Sequence, residues 1–344
     1  MTERRDLLVS IAHKINTYRQ VEMPQPTPDH VDRWANQFTP ANQLEFLREF
    51  DHVMNQTFIT RDAFSDFLSN LITNVHLAGN DPRSYWARAN ILNIQIDGRS
   101  QKEMIDIFGD ALRNKLDLAL SQCGADGGDY IYFDDVIFSG GRVGTDLQSW
   151  ISNSAPASAT VHVIVIAYHL LGQYYADNRV KEAARAANKN IHVKYWRGAE
   201  IENRKYQKDN SAVLWPVAIP NDAATQAYQA HLVTENKFPL IPRTAGGALN
   251  IFSSEAGRQV LENEFLIAGV KIRSRMGNLS EWYRPLGCSS FGVGFGSLFA
   301  TYRNCPNNCP LALWWGNSDG DAGNLRWYPL LQRKTYASAR NGFG

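Results

Sequence analysis

YIYFDDVIFSGGRVGTD, residues 130–146, is the stretch on which the reading of this chain turns. Its first four residues, Tyr130-Ile131-Tyr132-Phe133, form an apolar, β-branched and aromatic run short enough to be a buried strand. Two adjacent acids, Asp134 and Asp135, close the run. A short apolar link leads to Ser139-Gly140-Gly141-Arg142, and Val143 to Ile151 then has the spacing of a helix. The order is strand, acid pair, glycine turn, helix. Glycines at a helix N-terminus let backbone N–H groups close around an anion, where the helix dipole also favours negative charge. Acids at a strand end accept from sugar hydroxyls or hold a cation through water. A site offering both suits a phosphorylated sugar.

Upstream, Ile91 to Ile96 alternates apolar and polar residues, as a strand does, and Asp97-Gly98-Arg99-Ser100 follows. Gln101 to Leu120 then reads as a long helix with Met104, Ile105, Phe108, Leu112 and Leu116 on its apolar stripe. Downstream, Val161 to Ala167 is a near-continuous apolar run, Gln173 to Asn188 a helix, and Ile191 to Trp196 another strand. Repeated β–α units with short links predict a doubly wound, mostly parallel sheet, and such sheets bind ligands beyond the carboxyl ends of their strands. Both glycine turns fall at that edge. An acid pair ending a strand also occurs in receiver domains and in nucleotide-hydrolysing enzymes, but the chain has no G-x-x-x-x-G-K-[ST] string. A purely structural turn at either place stays open, most of all at Gly98.

The acid-pair string resembles the phosphoribosyl-pyrophosphate motif of type I phosphoribosyltransferases, matched residue by residue at Asp134, Asp135, Ser139, Gly140 and Gly141. The resemblance implies that the acids bind the ribose 2′- and 3′-hydroxyls, with Mg²⁺ held at Asp134 and Asp135, directly or through water. It implies that the turn from Ser139 to Arg142 wraps the 5′-phosphate. Arg142 departs from the family, which has Thr or Ser there, although a guanidinium also pairs with phosphate. The turn at Asp97, Gly98, Arg99 and Ser100 resembles the family's pyrophosphate loop. Family enzymes carry a further strand and a closing loop between the two motifs. Here only Cys123 to Gly128 separates helix from strand, which puts catalysis by that closure in doubt. The wider pattern resembles phosphoribosyltransferase-like effectors of bacterial conflict systems, some encoded beside retron reverse transcriptases. That implies an anti-phage effector, or its regulator, partnered by a reverse transcriptase with its DNA–RNA product. A non-catalytic nucleotide sensor or assembly subunit, or a housekeeping transferase, stays open beside it.

The expected fold is α/β: a phosphoribosyltransferase-like, mostly parallel sheet with helices on both faces, a helical N-terminal extension and an α+β C-terminal region. Composition divides it at 1–85, 86–200 and 201–344. In the last part, Lys271, Arg273 and Arg275 alternate with Ile272 and suggest a basic strand face. Phe291 to Gly296 suggests a glycine-faced strand approached closely by other backbone, and Leu311 to Trp315 a buried strand. Cys305 and Cys309 lack the second Cys or His pair of a tetrahedral zinc site. With 35 basic and 34 acidic side chains, the chain is not expected to hold nucleic acid tightly alone. It has no apolar run of membrane-spanning length and no signal-peptide core, so the cytoplasm is the expected location.

Overall fold

A computed structural model describes the chain except for residues 1, 97, 126, 277–278, 290–291, 317–326 and 335–344. The chain forms two compact units: one takes the chain up to Arg61 and again from Asn203, and the other runs from Asp62 to Glu202. The composition-based segments fall differently, because both ends of the chain build one unit while the helices after Asp62 go with the sheet.

The first unit begins with α1 (Glu3–Lys14), α2 (Pro28–Ala35), α3 (Gln43–Thr57) and the short β1 (Phe58–Ile59). The start of α2 is set locally: Pro28 takes the first turn and Thr27 Oγ1 accepts from His30 N at 3.2 Å. The second unit then opens with α4 (Arg61–Ile72), α5 (Val75–Ala78) and α6 (Pro82–Arg88). Its α/β part follows as β2 (Asn90–Leu92), α7 (Ser100–Leu116), β3 (Tyr130–Phe133), β4 (Val136–Ile137), α8 (Gly141–Asn153), β5 (Ser158–Ile164), β6 (Ala167–His169), α9 (Leu170–Ala186), β7 (Asn190–Trp196) and β8 (Ala199–Ile201).

Strands β2, β3, β5 and β7 make one sheet in that order, every pair parallel, so Ile131, Val163 and Val193 share a sheet as expected. Three of these strands continue, after a break of two residues, into a second parallel sheet ordered β4-β6-β8. The break in the first of them is Asp134-Asp135. Asp134 Oδ1 accepts from Asp135 N at 2.9 Å, and Asp135 Oδ1 accepts from Val136 N at 2.8 Å. Side chains that bond their own neighbouring amides in this way compete with a strand ladder. The interruption stays hydrogen-bonded, through Asp134 N to Ile164 O at 3.1 Å and Ile166 N to Asp135 O at 3.0 Å.

Successive residues of a strand face opposite sides of the sheet. Tyr132 packs with Val143, Leu147 and Trp150 of α8 and Ala176 and Val180 of α9. Phe133, its neighbour, meets Phe108 of α7 with ring centroids 4.8 Å apart. Helix α7 therefore covers one face and α8 and α9 the other. The covering helix changes face between β2 and β3, which leaves a crevice at the carboxyl ends of those two strands.

The first unit is completed by α10 (Ala223–Thr234), α11 (Glu255–Ser274), β9 (Ala300–Thr301), parallel to β1, and α12 (Leu311–Trp314). Phe265 of α11 sits in an aromatic cluster with Trp34, Phe38, Phe46 and Phe50. Arg243 and Arg258 both pair with the fully buried Glu262, so no buried charge there stands alone.

Several expectations are corrected. Lys271 and Arg273 lie in the last turn of α11 and form no strand face; the apolar i, i+3/i+4 residues Leu261, Phe265 and Ile272 carry the helix through them. Leu311 to Trp314 is a buried helical turn, opened by Pro310, where a strand was expected. Strand β2, expected to run to Ile96, stops at Leu92 because Ile94 N and Gln95 N turn to Gln101 Oε1 at 2.6 and 2.8 Å. Of the glycine-rich segment, Phe291 lies outside the described residues and Gly292 to Gly296 is no strand. Close backbone approach does hold there: a Cβ on Gly296 would sit 2.4 Å from Leu214 O. No described helix is long and apolar enough to cross a membrane.

Candidate functional site

The crevice gathers the residues singled out in both glycine turns, with the exception of Asp97, which lies outside the described residues. Asp134 and Asp135 stand at its base, at the end of β3. Gly98 and Arg99 lead into α7, whose first residue, Ser100, is buried. Ser139, Gly140 and Gly141 lead into α8, and Arg142 lies in its first turn.

Ser100 and Arg142 join the two turns. Arg142 Nη1 donates to Ser100 Oγ at 3.3 Å, Gln95 Nε2 donates to the same oxygen at 2.8 Å, and the Ser100 hydroxyl hydrogen-bonds Asp134. The guanidinium also lies over Gly98, where a Cβ would come within 3.8 Å of it. Gly98 has φ +101°, a conformation that a side chain would strain.

Electrostatics separate the roles of these groups. Asp134 is only 2% exposed, and burial followed by the neighbouring charge of Asp135 pushes its carboxyl up to about 7, against the opposing pull of Arg142 and Ser100. Arg142 is held above its ordinary value: desolvation lowers it, and the charges of Asp134 and Asp135 more than offset that. The crevice thus sets the Arg142 cation near an acid pair of which one member, Asp134, is favoured in its protonated form.

Both helices present their N-termini here without a cap from the N-cap side chain. At α8 the N-cap is Gly140, with φ +77°, and Gly141 N reaches Ser139 Oγ only at 3.5 Å. Gly140 is obligatory for packing as well: a Cβ there would stand 2.0 Å from Gly172 O, where α8 and α9 approach. At α7, Gln95 Oε1 accepts from Gln101 N at 3.1 Å. Together the two helix ends and Arg142 make a crevice that favours anions, floored by carboxylates that favour hydroxyls or a cation.

One residue that sequence reasoning passed over holds the arrangement together. Asp146, buried on α8, accepts from Tyr132 OH at 2.8 Å through Oδ2 and from Ile96 N at 3.2 Å through Oδ1. It ties α8, β3 and the segment before α7 to one another. The signal in the sequence was an acid standing beside Leu147 on the inward face of an otherwise apolar helix stripe. Two histidines lie in the sheets, one in each. His162 Nδ1 accepts from Trp196 Nε1 at 2.7 Å and its Nε2 meets Asp129 Oδ2 at 3.0 Å, a satisfied structural arrangement. His169 is fully buried, which holds its ring down to about 3, with Nδ1 on Ile137 O at 3.1 Å.

A family model described as PRTase-CE matches residues 31–333, most of the chain. No curated protein and no solved structure matches it.

Proposed function

The chain belongs to the PRTase-CE family and is a phosphoribosyltransferase-like protein, and from that premise we propose that its crevice binds phosphoribosyl pyrophosphate or a related phosphoribosyl nucleotide. The observation that carries the reading is that Asp134 and Asp135 stand within the electrostatic reach of Arg142, between two helix N-termini. On this reading the two acids take the ribose hydroxyls and the turn from Ser139 to Arg142 takes the 5′-phosphate. The turn from Gly98 to Gln101 takes the pyrophosphate. Arg142, standing between the turns, neutralises phosphate charge in place of the hydroxyl common at that position in the enzymes it resembles. Two carboxylates are also the share of ligands a protein gives to a Mg²⁺ whose other ligands are phosphates and water. Asp134 and Asp135 would hold that ion, and when bound it would stabilise the charge on a departing pyrophosphate.

Calorimetry with phosphoribosyl pyrophosphate tests this on the wild type and on the Asp134→Asn/Asp135→Asn double variant. Hydrogen bonds to charged groups are worth ~1.5–3 kcal/mol each, so the variant should bind at least ~10-fold more weakly. Equal affinities would overturn the reading.

A second reading, binding without chemistry, is favoured by one observation. Between α7 and β3 the described residues hold only a single 3₁₀ turn, Leu120–Gln122, where phosphoribosyltransferases carry a strand and a closing loop. Assay of pyrophosphate release separates the two: release above the spontaneous rate, lost in the double variant, makes the protein an enzyme.

For its setting we propose the conflict-system role: a cytoplasmic anti-phage effector, kept silent in a complex with a reverse transcriptase and its DNA–RNA product. A formal net charge of +1 fits a chain that meets nucleic acid through a partner. Co-purification with a neighbouring reverse transcriptase, and growth arrest when the chain is expressed alone, are the expected results. A chain that binds no such neighbour and is harmless at high expression contradicts the role.

A further inference from the structure

The unit built from the two ends of the chain holds a cavity of about 170 Å³, lined in part by the glycine-rich segment and by none of the crevice residues. Leu214, Trp215, Leu240 and Val293 form its apolar walls, with Gly292 and Gly294 beside them. Phe238 and Ile241 also line it and remain 62% and 48% exposed, so large apolar side chains face open space. The polar lining residues are Lys205 and Asn236.

The walls are fixed in advance. Leu240 exchanges hydrogen bonds with the Gln229 side chain, N to Oε1 at 3.1 Å and Nε2 to O at 3.3 Å. Phe238 O accepts from Gly292 N at 3.0 Å, and Ile241 O accepts from Trp215 Nε1 at 2.8 Å. The glycine is required, since a Cβ on Gly292 would lie 2.4 Å from Phe238 O. Phe238 itself is held at φ +50°, in the left-handed region that a bulky residue seldom enters. Backbone held in such a conformation persists only where its surroundings over-determine it, and such positions gather at ligand sites.

Size and chemistry then select the ligand. A dry apolar cavity of roughly 150 Å³ takes one benzene-sized ring. Lys205 is exposed and makes no ion pair with a described residue, and the Asn236 side chain has no hydrogen-bond partner among them. An unpaired ammonium and an amide beside an apolar cavity suit a carboxylate joined to a ring. We propose that this cavity is a binding site for small aromatic carboxylates, the ring enclosed by Leu214, Trp215, Leu240 and Val293 and the carboxylate held by Lys205. The site is independent of the phosphoribosyl reading.

Ligand-observed NMR on the full chain tests it, with phenylacetate as probe, phenylacetamide as the neutral control and acetate as the control without a ring. Phenylacetate should show saturation transfer and acetate none. Lys205→Ala, at an exposed position, should weaken phenylacetate at least fivefold and leave phenylacetamide unchanged. Ile241→Trp, which fills the rim, should abolish transfer to both aromatic probes, with an unchanged near-ultraviolet circular dichroism spectrum and melting temperature as the check that each variant is folded. No transfer to phenylacetate at millimolar concentration overturns the proposal. So does equal binding of acid and amide, or an unchanged phenylacetate affinity in Lys205→Ala.

Discussion

At the scale of single residues, Asp134 couples the crevice to pH. Its carboxyl is favoured in the protonated form by burial and by Asp135, up to about 7 against an ordinary 3.8. A pKa raised on folding contributes stability that is complete below the unfolded value and lost as pH rises through the folded one. Between pH 4 and 8 the wild type should therefore lose stability relative to Asp134→Asn, by on the order of 2–4 kcal/mol across the window. Urea melts of both proteins at several pH values measure it, and parallel curves would contradict it. Asp146 makes a different prediction. Asp146→Ala strips the acceptor from Tyr132 OH and Ile96 N, and should cost ~2–4 kcal/mol, whereas Asp146→Asn, keeping one acceptor oxygen, should cost less. Denaturant midpoints separate the two variants. Asp134 drew notice in the sequence because it closes an apolar run. Asp146 did not, because an acid within a helix is ordinarily solvated, and its place beside Leu147 is a weak signal until packing shows that it faces inward.

At the scale of elements, the strand, acids, glycine turn and helix from Tyr130 onward were legible because period, turn chemistry and the helix stripe all agreed. The second sheet was not. A strand of two residues such as Val136–Ile137 has no period to detect, and the break before it arises from the acids bonding their own following amides. Lys271 and Arg273 misled for a related reason: over a few residues, alternation of charge and apolarity fits either a strand or the end of a long helix. The meeting of α8 and α9 supplies a test of close packing. Gly140→Ala combines φ +77° with a Cβ 2.0 Å from a carbonyl oxygen and should cost more than ~3 kcal/mol. Gly79→Ala, at φ +66° and ψ −156° with nothing within 4 Å, meets only the backbone penalty of that glycine-favouring region, ~1–3 kcal/mol. Equal losses in thermal or chemical melts would contradict the steric account.

At the scale of the molecule, sequence reading followed the order of the chain, whereas folding joined its two ends into one unit around a continuous α/β segment. No composition shift announces that pairing, because it depends on contacts between residues hundreds of positions apart, such as the Trp34 Nε1 to Ala312 O bond of 2.8 Å. Residues 62–202 contain both parallel sheets, their covering helices and the crevice, and near the ends of the segment Phe67 lies beside Gly198. Expressed alone, that segment should unfold cooperatively by circular dichroism; a gradual, featureless melt would show that it does not fold by itself. The central claim is that one phosphoribosyl ligand spans both glycine turns. Phosphorus NMR of phosphoribosyl pyrophosphate titrated with the full chain tests it most directly, since the 5′-phosphate and the pyrophosphate give separate signals. The account predicts that both sets of signals shift and broaden with wild type and that neither does with Asp134→Asn/Asp135→Asn. Signals unmoved by the wild type at millimolar ligand would contradict it.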